Sequence, residues 1–319
     1  MLADYNPGPR VRRWAKIGDV EVDETRLQPS RPWIVHSDDW PNVVRIVLGL
    51  PIFLLPLWIG IRINPGGVAL ALLIGFALND MNFLLHQHVH CRLSERRWVN
   101  NGLDAVLGVM TGMTSSNWRQ HHVLRHHQLD DSWGEGYAWE MRRRSVLGAI
   151  TYSVRGAVVV IVRPYLETIT RGVFRGEKAP INYRVAFVQQ TLNFAVMAFL
   201  ISRVPVFYAP FYAMVWIFTR RTDYENHVGC DDSDFGFANN VIDDRYNWLR
   251  NNFGYHTAHH LHPSAHWSSL PGFHAEIADQ IPAERIEGIR LTRTLNPMLL
   301  VFELRSLRRL RRASKSLAA

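Results

Sequence analysis

Long apolar segments alternate with polar, arginine-rich connectors along this chain of 319 residues. Residues 43–63 and 67–85 form one nearly continuous apolar pair, and residues 183–203 and 204–219 form a second pair. A segment such as 43–63 covers roughly 30 Å as an α-helix, which is the thickness of a bilayer core. The pattern therefore predicts an all-α integral membrane protein with four transmembrane helices.

Two further apolar segments are interrupted by polar residues. They lie at residues 100–114 and 145–166, and the second carries Arg155 near its middle. Placing an arginine at the centre of a bilayer is unfavourable. We therefore expect both segments to form interfacial or half-buried helices that do not cross the membrane.

The chain is strongly basic, with a formal charge of +8 and a pI near 9.8. Binding to nucleic acid, binding to anionic lipid headgroups and the positive-inside rule can each explain such a balance. The arginines flank apolar segments and do not alternate with stacking aromatics in a soluble domain. We therefore expect membrane lipids as a partner, and no nucleic acid.

The chain divides into a polar N-terminal segment at 1–42, a membrane domain at 43–275 and a basic C-terminal segment at 276–319. The N-terminal segment has no apolar core after a basic start, so it does not resemble a signal peptide. Cys91 and Cys230 cannot form a disulfide framework, which fits a reducing, cytosol-facing compartment. We expect both to be buried or incidental thiols.

Three histidine clusters are the most informative polar feature of the sequence. Their spacings are HxxxH, HxxxHH and HxxHH, and residues four apart share one face of a helix. Imidazole is a common ligand for iron, zinc, copper and nickel. So many imidazoles are too numerous for one ion and suit a two-metal site. The clustered residues are His86 and His90, then His122, His126 and His127, then His256, His259 and His260.

A single histidine pair at helical spacing is most often a satisfied or exposed pair without a metal. Three clusters in order, each beside an apolar segment, favour a metal site instead. The other histidines are expected to be surface, capping or supporting residues: His36, His88, His121, His262, His266 and His274. Six tryptophans are expected to lie at the membrane interface or in a cap: Trp118, Trp133, Trp139, Trp216, Trp248 and Trp267.

The three clusters can build one site only if they meet on one side of the membrane. The first two follow two apolar segments, and the third follows four if residues 145–166 do not cross. The predicted outer turns carry only Arg62 and Arg203, whereas the remaining connectors are rich in arginine. By the positive-inside rule, both termini and the metal site are expected to be cytoplasmic.

The third cluster lies in a longer motif, GYHTAHHLHP at residues 254–263, followed by Trp267 and Leu270-Pro271. The second cluster follows Trp118-Arg119 in a WRxxH pattern. These motifs, in this order, resemble the membrane-bound fatty acid desaturase and hydroxylase superfamily over roughly residues 40–275. The resemblance implies four transmembrane helices under a cytosolic helical cap, which holds a histidine-ligated di-iron site.

The resemblance also implies the reaction. It indicates an O₂-dependent oxidoreductase that uses two iron ions to attack an unactivated C–H bond of a lipid or acyl chain, with fatty acyl desaturation favoured. Hydroxylation of an alkane or acyl chain and oxidative decarboxylation remain open. No dinucleotide-binding or haem-attachment motif is present, so electrons are expected from an external ferredoxin or rubredoxin with its reductase.

The sequence departs from the family pattern at two places. The family often adds a histidine in an N-x-x-x-H pattern after the last span, which points to His227 as a ninth ligand. Asp223 stands where the family has Asn, so it either acts near the metal or orients a ligand imidazole. The second cluster has the spacing of membrane alkane and xylene hydroxylases rather than the HxxHH of desaturases.

Polar residues interrupt the apolar segment just before the first cluster: Asn79, Asp80 and Asn82. Polar groups within a membrane helix are functional candidates. Asp80 is expected either near the metals or the substrate tunnel, or solvated at the interface.

A different class, a metal-handling transporter or zinc hydrolase, also uses histidines. A transporter would place ionisable residues at mid-membrane, and a zinc hydrolase needs fewer ligands.

Overall fold

The computed structural model describes residues 33–61, 64–78, 80–127, 139–231 and 233–288, which are mostly helical. Most of the predicted terminal segments, Asn79 and Trp133 lie outside the described residues. The helices are α1 at Trp40–Ile59, α2 at Pro65–Leu78, α3 at Met81–His90, α4 at Arg97–Thr111, α5 at Ser115–Trp118, α6 at Trp139–Arg142, α7 at Val146–Glu167, α8 at Tyr183–Arg203, α9 at Pro205–His227, α10 at Asp244–Leu249, α11 at His256–Leu261 and α12 at Leu270–Ile277.

Shorter elements complete the described chain. Two π-helical stretches, Arg119–His127 and Thr168–Phe174, continue α5 and α7, and 3-10 turns lie at Ser37–Asp39, Trp267–Ser269 and Ala283–Arg285. Strands β1 at Asn240–Val241 and β2 at Ile286–Glu287 pair in parallel. The second π-helical stretch packs against the start of α8.

Helices α1, α2, α8 and α9 form two hairpins that pack together. The first turn begins at Gly60, whose positive φ of 61° ends α1, and the second is followed at once by Pro205 in the first turn of α9. The hydroxyl of Tyr208 on α9 donates to the carbonyl of Phe53 on α1 at 2.9 Å. Ile61 and Val204, next to the two turns, belong to the same buried apolar cluster. Because the Tyr208–Phe53 contact joins the start of α9 to the second half of α1, both turns lie at one end of the bundle.

Three helical segments are long and apolar enough to cross a membrane: Ser37–Ile59, Val146–Phe174 and Tyr183–Arg203. Within the described residues, Pro65–Gly75 is a shorter apolar helix, and α9 is not among the candidates. Only 28% of the most apolar window is buried in the first and third of these segments. Their remaining apolar surface faces outwards, as contact with lipid requires.

Length and composition also count α7 as a candidate span, which differs from the sequence prediction for residues 145–166. The contacts at its ends bear on this difference. At its start, the N–H of Ser145 donates to the hydroxyl of Tyr224 at 3.1 Å. Tyr224 lies on α9, three residues before His227. At the other end, Glu167 accepts from Gln120 at 2.6 Å and pairs with Arg125, beside the second histidine cluster. Both ends of α7 therefore contact segments that carry histidines.

The predicted span at residues 67–85 is broken, because α2 ends at Leu78 and α3 begins at Met81. Asp80 lies at this break. Its carboxylate is 3.3 Å from Arg45 on α1 and also pairs with Arg250, just after α10. Asp80 thus ties two helices to the C-terminal part of the chain and lies in an ion-paired cluster.

The segments after α9 cover the end of the bundle that carries the histidines. Asp39, just before α1, is buried and holds the loop that follows α11. The indole nitrogen of Trp267 donates to Asp39 at 2.8 Å, and Nε2 of His266 lies 3.0 Å from the same carboxylate. These contacts fix the loop after the third histidine cluster against the start of α1.

Candidate metal centre

The first histidine cluster lies on the last turn of α3. His86 and His90 are four residues apart on one helical face, and their ring centroids are 4.7 Å apart. A ring nitrogen of His90 hydrogen-bonds the backbone of Pro263, just after the third cluster. This bond fixes one nitrogen of the ring and leaves the other for a ligand.

The second cluster lies on the π-helical stretch Arg119–His127. A π-helix bonds residue i to i+5, so each turn takes up about one more residue than an α-helical turn. His122 and His127, five residues apart, bring their Nε2 atoms within 3.0 Å, and the ring of His126 stacks on that of His122. The extra residue in the HxxxHH spacing is therefore absorbed by the π-helix, and the three imidazoles stay together.

The third cluster on α11 meets His227 at the end of α9. The Nε2 atoms of His256 and His227 lie 3.1 Å apart, and those of His260 and His256 lie 3.2 Å apart. Nδ1 of His227 lies 3.0 Å from the carbonyl oxygen of Phe237, to which it can only donate. Nε2 of His227 is then the unprotonated nitrogen that can bind a metal.

The nine histidines meet in two groups, and within each group the potential ligand atoms lie within 4.8 Å of one another. A five-histidine group contains His86, His90, His122, His127 and His259. A four-histidine group contains His126, His227, His256 and His260. Each group draws on more than one cluster, as a shared two-metal centre requires.

The donor set fits metal ions of the first transition series. Within each of the two groups, neighbouring Nε2 atoms lie 2.7 to 3.2 Å apart. Two nitrogens bound to one ion at roughly 2.1 Å, with about 90° between the bonds, lie about 3.0 Å apart. Nε2 of His90 and of His259 is buried without a hydrogen-bond partner in the described part of the chain. A bound ion would satisfy these nitrogens.

Burial keeps these imidazoles neutral. It is the main cause that holds the pKa values of His122, His127 and His260 well below the ordinary range, and the neighbouring imidazoles add to it. Burial likewise lowers the pKa of His90 to about 3. Neutral imidazole is the form that binds metal, so the site is electrostatically ready for cations.

A cavity of about 40 Å³ faces both groups. His86 and His122 of one group and His126 and His256 of the other line it. Its opposite wall includes Asn82, whose amide nitrogen donates to the hydroxyl of Thr219 on α9 at 3.0 Å. Of the two described polar residues before the first cluster, Asn82 therefore reaches the cavity, whereas Asp80 forms the ion pairs described above.

Two aromatic residues pack directly on the imidazoles. The ring of Trp118 stacks on His122 at 5.1 Å between centroids, and the ring of Phe253 stands edge-on to His86 at 5.1 Å. Trp118, expected from the sequence at the membrane interface or in a cap, is buried beside the candidate ligands. Its position four residues before His122, one helical turn away, was a usable signal. Nothing in the sequence singled out Phe253.

The six histidines that were expected to be surface, capping or supporting residues belong to neither group among the described residues. Nε2 of His88 lies 3.2 Å from the carboxylate of Asp104. Nε2 of His121 lies 2.9 Å from the guanidinium of Arg220, and His266 contacts Asp39. Asp223 also lies outside both groups. His88, His121 and His266 thus each have a polar partner that accounts for them without a metal.

The chain is similar in sequence to known proteins. The family model described as fatty acid desaturase matches residues 64–287. A protein named fatty acid desaturase from Bacillus subtilis (strain 168) is 22% identical over 261 residues, which is 72% of this chain and 73% of that protein. No solved structure matches the chain significantly. Because the family match covers every residue of both histidine groups, and most of the chain, this protein belongs to the fatty acid desaturase family.

Proposed function

We propose that the protein is an O₂-dependent di-iron oxidoreductase of the membrane that desaturates a fatty acyl chain. The convergence of three distant histidine clusters into two adjacent groups carries this proposal. The five-histidine group would hold one iron and the four-histidine group the other. Family membership supports a desaturase-type enzyme acting on lipid.

Two iron ions, when bound, would supply O₂ activation and hydrogen abstraction from an unactivated C–H bond. Desaturation removes two hydrogens from adjacent carbons, consumes one O₂, two electrons and two protons, and releases two waters. The neutral imidazoles of the two groups would hold the ions. Trp118 and Phe253 pack on the rings and keep water away from them. The cavity in front of both groups is where the reacting carbon would lie.

We place the two hairpins across the bilayer, with the histidine end and both termini in the cytoplasm. In this arrangement α7 lies along the cytoplasmic interface, because both of its ends contact histidine-bearing segments. An external ferredoxin or rubredoxin, with its reductase, would approach from the cytoplasm. The basic character of the chain suits an acidic carrier.

Hydroxylation is the second candidate reaction, and the HxxxHH spacing of the second cluster favoured it. The π-helix weakens that argument, since it brings His122, His126 and His127 together despite the extra residue. The HxxxHH spacing is therefore compatible with desaturation.

Product analysis tests the reaction. The full-length protein is expressed with a ferredoxin and its reductase, and lipids are compared by mass spectrometry with those of a His259→Ala control. We expect products lighter by two hydrogens and without label from ¹⁸O₂. A product that carries ¹⁸O would replace desaturation by hydroxylation, and a product one carbon shorter would indicate oxidative decarboxylation.

A further inference from the structure

Asp223 is held in one orientation by two buried partners on the side of α9 that faces α7. The hydroxyl of Tyr152 donates to Oδ2 of Asp223 at 2.6 Å, and a guanidinium nitrogen of Arg220 lies 3.2 Å from the same oxygen. Arg220 also donates to the hydroxyl of Tyr152 at 2.6 Å. The three side chains form a closed triangle, and both partner contacts are made by Oδ2.

The other oxygen of this carboxylate faces a candidate metal ligand. Oδ1 of Asp223 lies 3.8 Å from Nδ1 of His126. On the opposite side of the same ring, Nε2 of His126 lies 3.2 Å from Nε2 of His260, within the four-histidine group. The ring of His126 therefore has one nitrogen directed at the metal group and the other directed at a carboxylate.

His227 provides a comparison within the same group. Its Nδ1 lies 3.0 Å from a backbone carbonyl, and its Nε2 faces the group. The two imidazoles are arranged alike, but His126 faces a charged acceptor and His227 a neutral one. A carboxylate acceptor fixes the tautomer of a ligand imidazole and raises its basicity.

We propose that Asp223 is a positioning residue for the four-histidine group, which accepts the Nδ1 proton of His126 and directs its Nε2 to the metal. This proposal rests on the proposed function, because it takes that group to be a metal site. The distance of 3.8 Å is longer than a hydrogen bond. Cation binding at Nε2 would make Nδ1–H a stronger donor, so we expect this hydrogen bond in the metal-bound protein.

The neighbourhood of Arg220 shows that the triangle is tightly packed. Arg220 is buried, and its guanidinium lies over the ring of Tyr152, with 4.8 Å between Cζ and the ring centroid. Gly156 on α7 leaves the space for it, since a Cβ at Gly156 would lie 2.5 Å from Nε of Arg220. Residues of two helices, α7 and α9, therefore hold the side chain of Asp223 in place.

The test compares metal binding by Asp223→Asn, Asp223→Leu and the wild type, all purified in mild detergent. Bound iron per chain and the rate of iron release to a chelator are measured, together with the Mössbauer spectrum. Asp231→Asn is the matched control, because Asp231 also pairs with an arginine but is exposed and belongs to neither histidine group. Tyr152→Phe removes only the hydroxyl that donates to Asp223.

We expect Asp223→Leu to weaken iron binding about 10- to 100-fold at one of the two sites. One component of the Mössbauer spectrum should be lost while the other stays unchanged. Asp223→Asn, which keeps an acceptor oxygen without the charge, should fall between Asp223→Leu and the wild type, and Tyr152→Phe should release iron faster from the same site. Asp231→Asn should match the wild type.

Unchanged affinity at both sites in Asp223→Leu would overturn the proposal, as would equal weakening of both sites. Should Asp223→Leu fail to fold, Asp223→Asn and Tyr152→Phe decide, and normal release rates in both would also overturn it. Failure of the proposed function looks different, because the wild type itself would then bind no iron.

Discussion

At the scale of single residues, the site depends on the choice of nitrogen in each imidazole. Nδ1 of His227 lies against a backbone carbonyl, and a ring nitrogen of His90 bonds the backbone of Pro263. In each case the remaining nitrogen faces a group of potential ligands. Sequence spacing identifies which histidines share a face, but these tautomers follow only from the packed structure.

Removing one imidazole should affect one group more than the other. We expect His126→Ala to lower the iron content through the four-histidine group and His259→Ala through the five-histidine group, with activity lost in both. His262→Ala is the control, because His262 lies in the same motif as His259 but stacks on Phe273 instead. Elemental analysis after membrane extraction measures this. Equal loss of iron in the control would contradict the assignment of ligands.

The lowered pKa values of the buried imidazoles predict a pH dependence for the metal-free protein. The pKa of His90 is about 3, against 6.5 for an ordinary histidine, so below about pH 6.5 the unfolded chain binds more protons than the folded one. Stability is therefore complete above that pH and is lost progressively as the pH falls towards 3. The unfolding temperature of the metal-free protein in detergent, measured between pH 8 and pH 5, tests this loss of stability. A metal-free protein that is more stable at pH 5 than at pH 8 would contradict the account.

At the scale of elements, the second histidine cluster shows both the strength and the limit of sequence reasoning. His122, His126 and His127 were predicted as candidates from their spacing and from the order of the three clusters. Their spacing was read as a hydroxylase signal, because the sequence does not reveal a π-helix. The break between α2 and α3 was missed for a similar reason, since the contacts of Asp80 with Arg45 and Arg250 join residues far apart in sequence.

Deleting Leu124 tests the π-helix. The deletion changes the spacing to HxxHH, and an α-helix would then place the three imidazoles on one face. We expect the variant to keep about two irons per chain, because the shorter spacing needs no π-helical turn. Insertion of an alanine after Leu124 is the matched control and should lower the iron content. Loss of iron in the deletion variant to the same extent as in the insertion variant would contradict this explanation.

At the scale of the whole molecule, the fold brings distant segments to one end of two packed hairpins. The apolar pattern gave α1, α8 and α9 to within a few residues at their starts, because long apolar runs are a strong signal. The apolar pattern did not predict that α9 continues to His227, because the last turns of that helix are polar. Contacts with α7 and with the third histidine cluster fix these turns. The apolar pattern also could not predict the contacts of Asp39 with His266 and Trp267, which join residues far apart in the sequence.

Membrane topology is the next prediction at this scale. Reporter fusions after residues 135, 175 and 240 should report the cytoplasm, and fusions after residues 65 and 203 should report the outside. The reason is that α9 begins at the second turn and ends at His227, so the turns of the hairpins lie at the end opposite the histidines. The fusion after residue 175 is decisive for α7. An external signal there would show that α7 crosses the membrane and that the interfacial placement is wrong.

The central claim is that the two histidine groups hold two iron ions. Elemental analysis of the full-length protein, purified in mild detergent from cells grown with iron and zinc, tests it most directly. The account predicts about two irons per chain and little zinc, because two separate groups of imidazoles each suit one ion. A single zinc per chain with negligible iron would contradict it and would favour a metal-handling or hydrolytic protein instead.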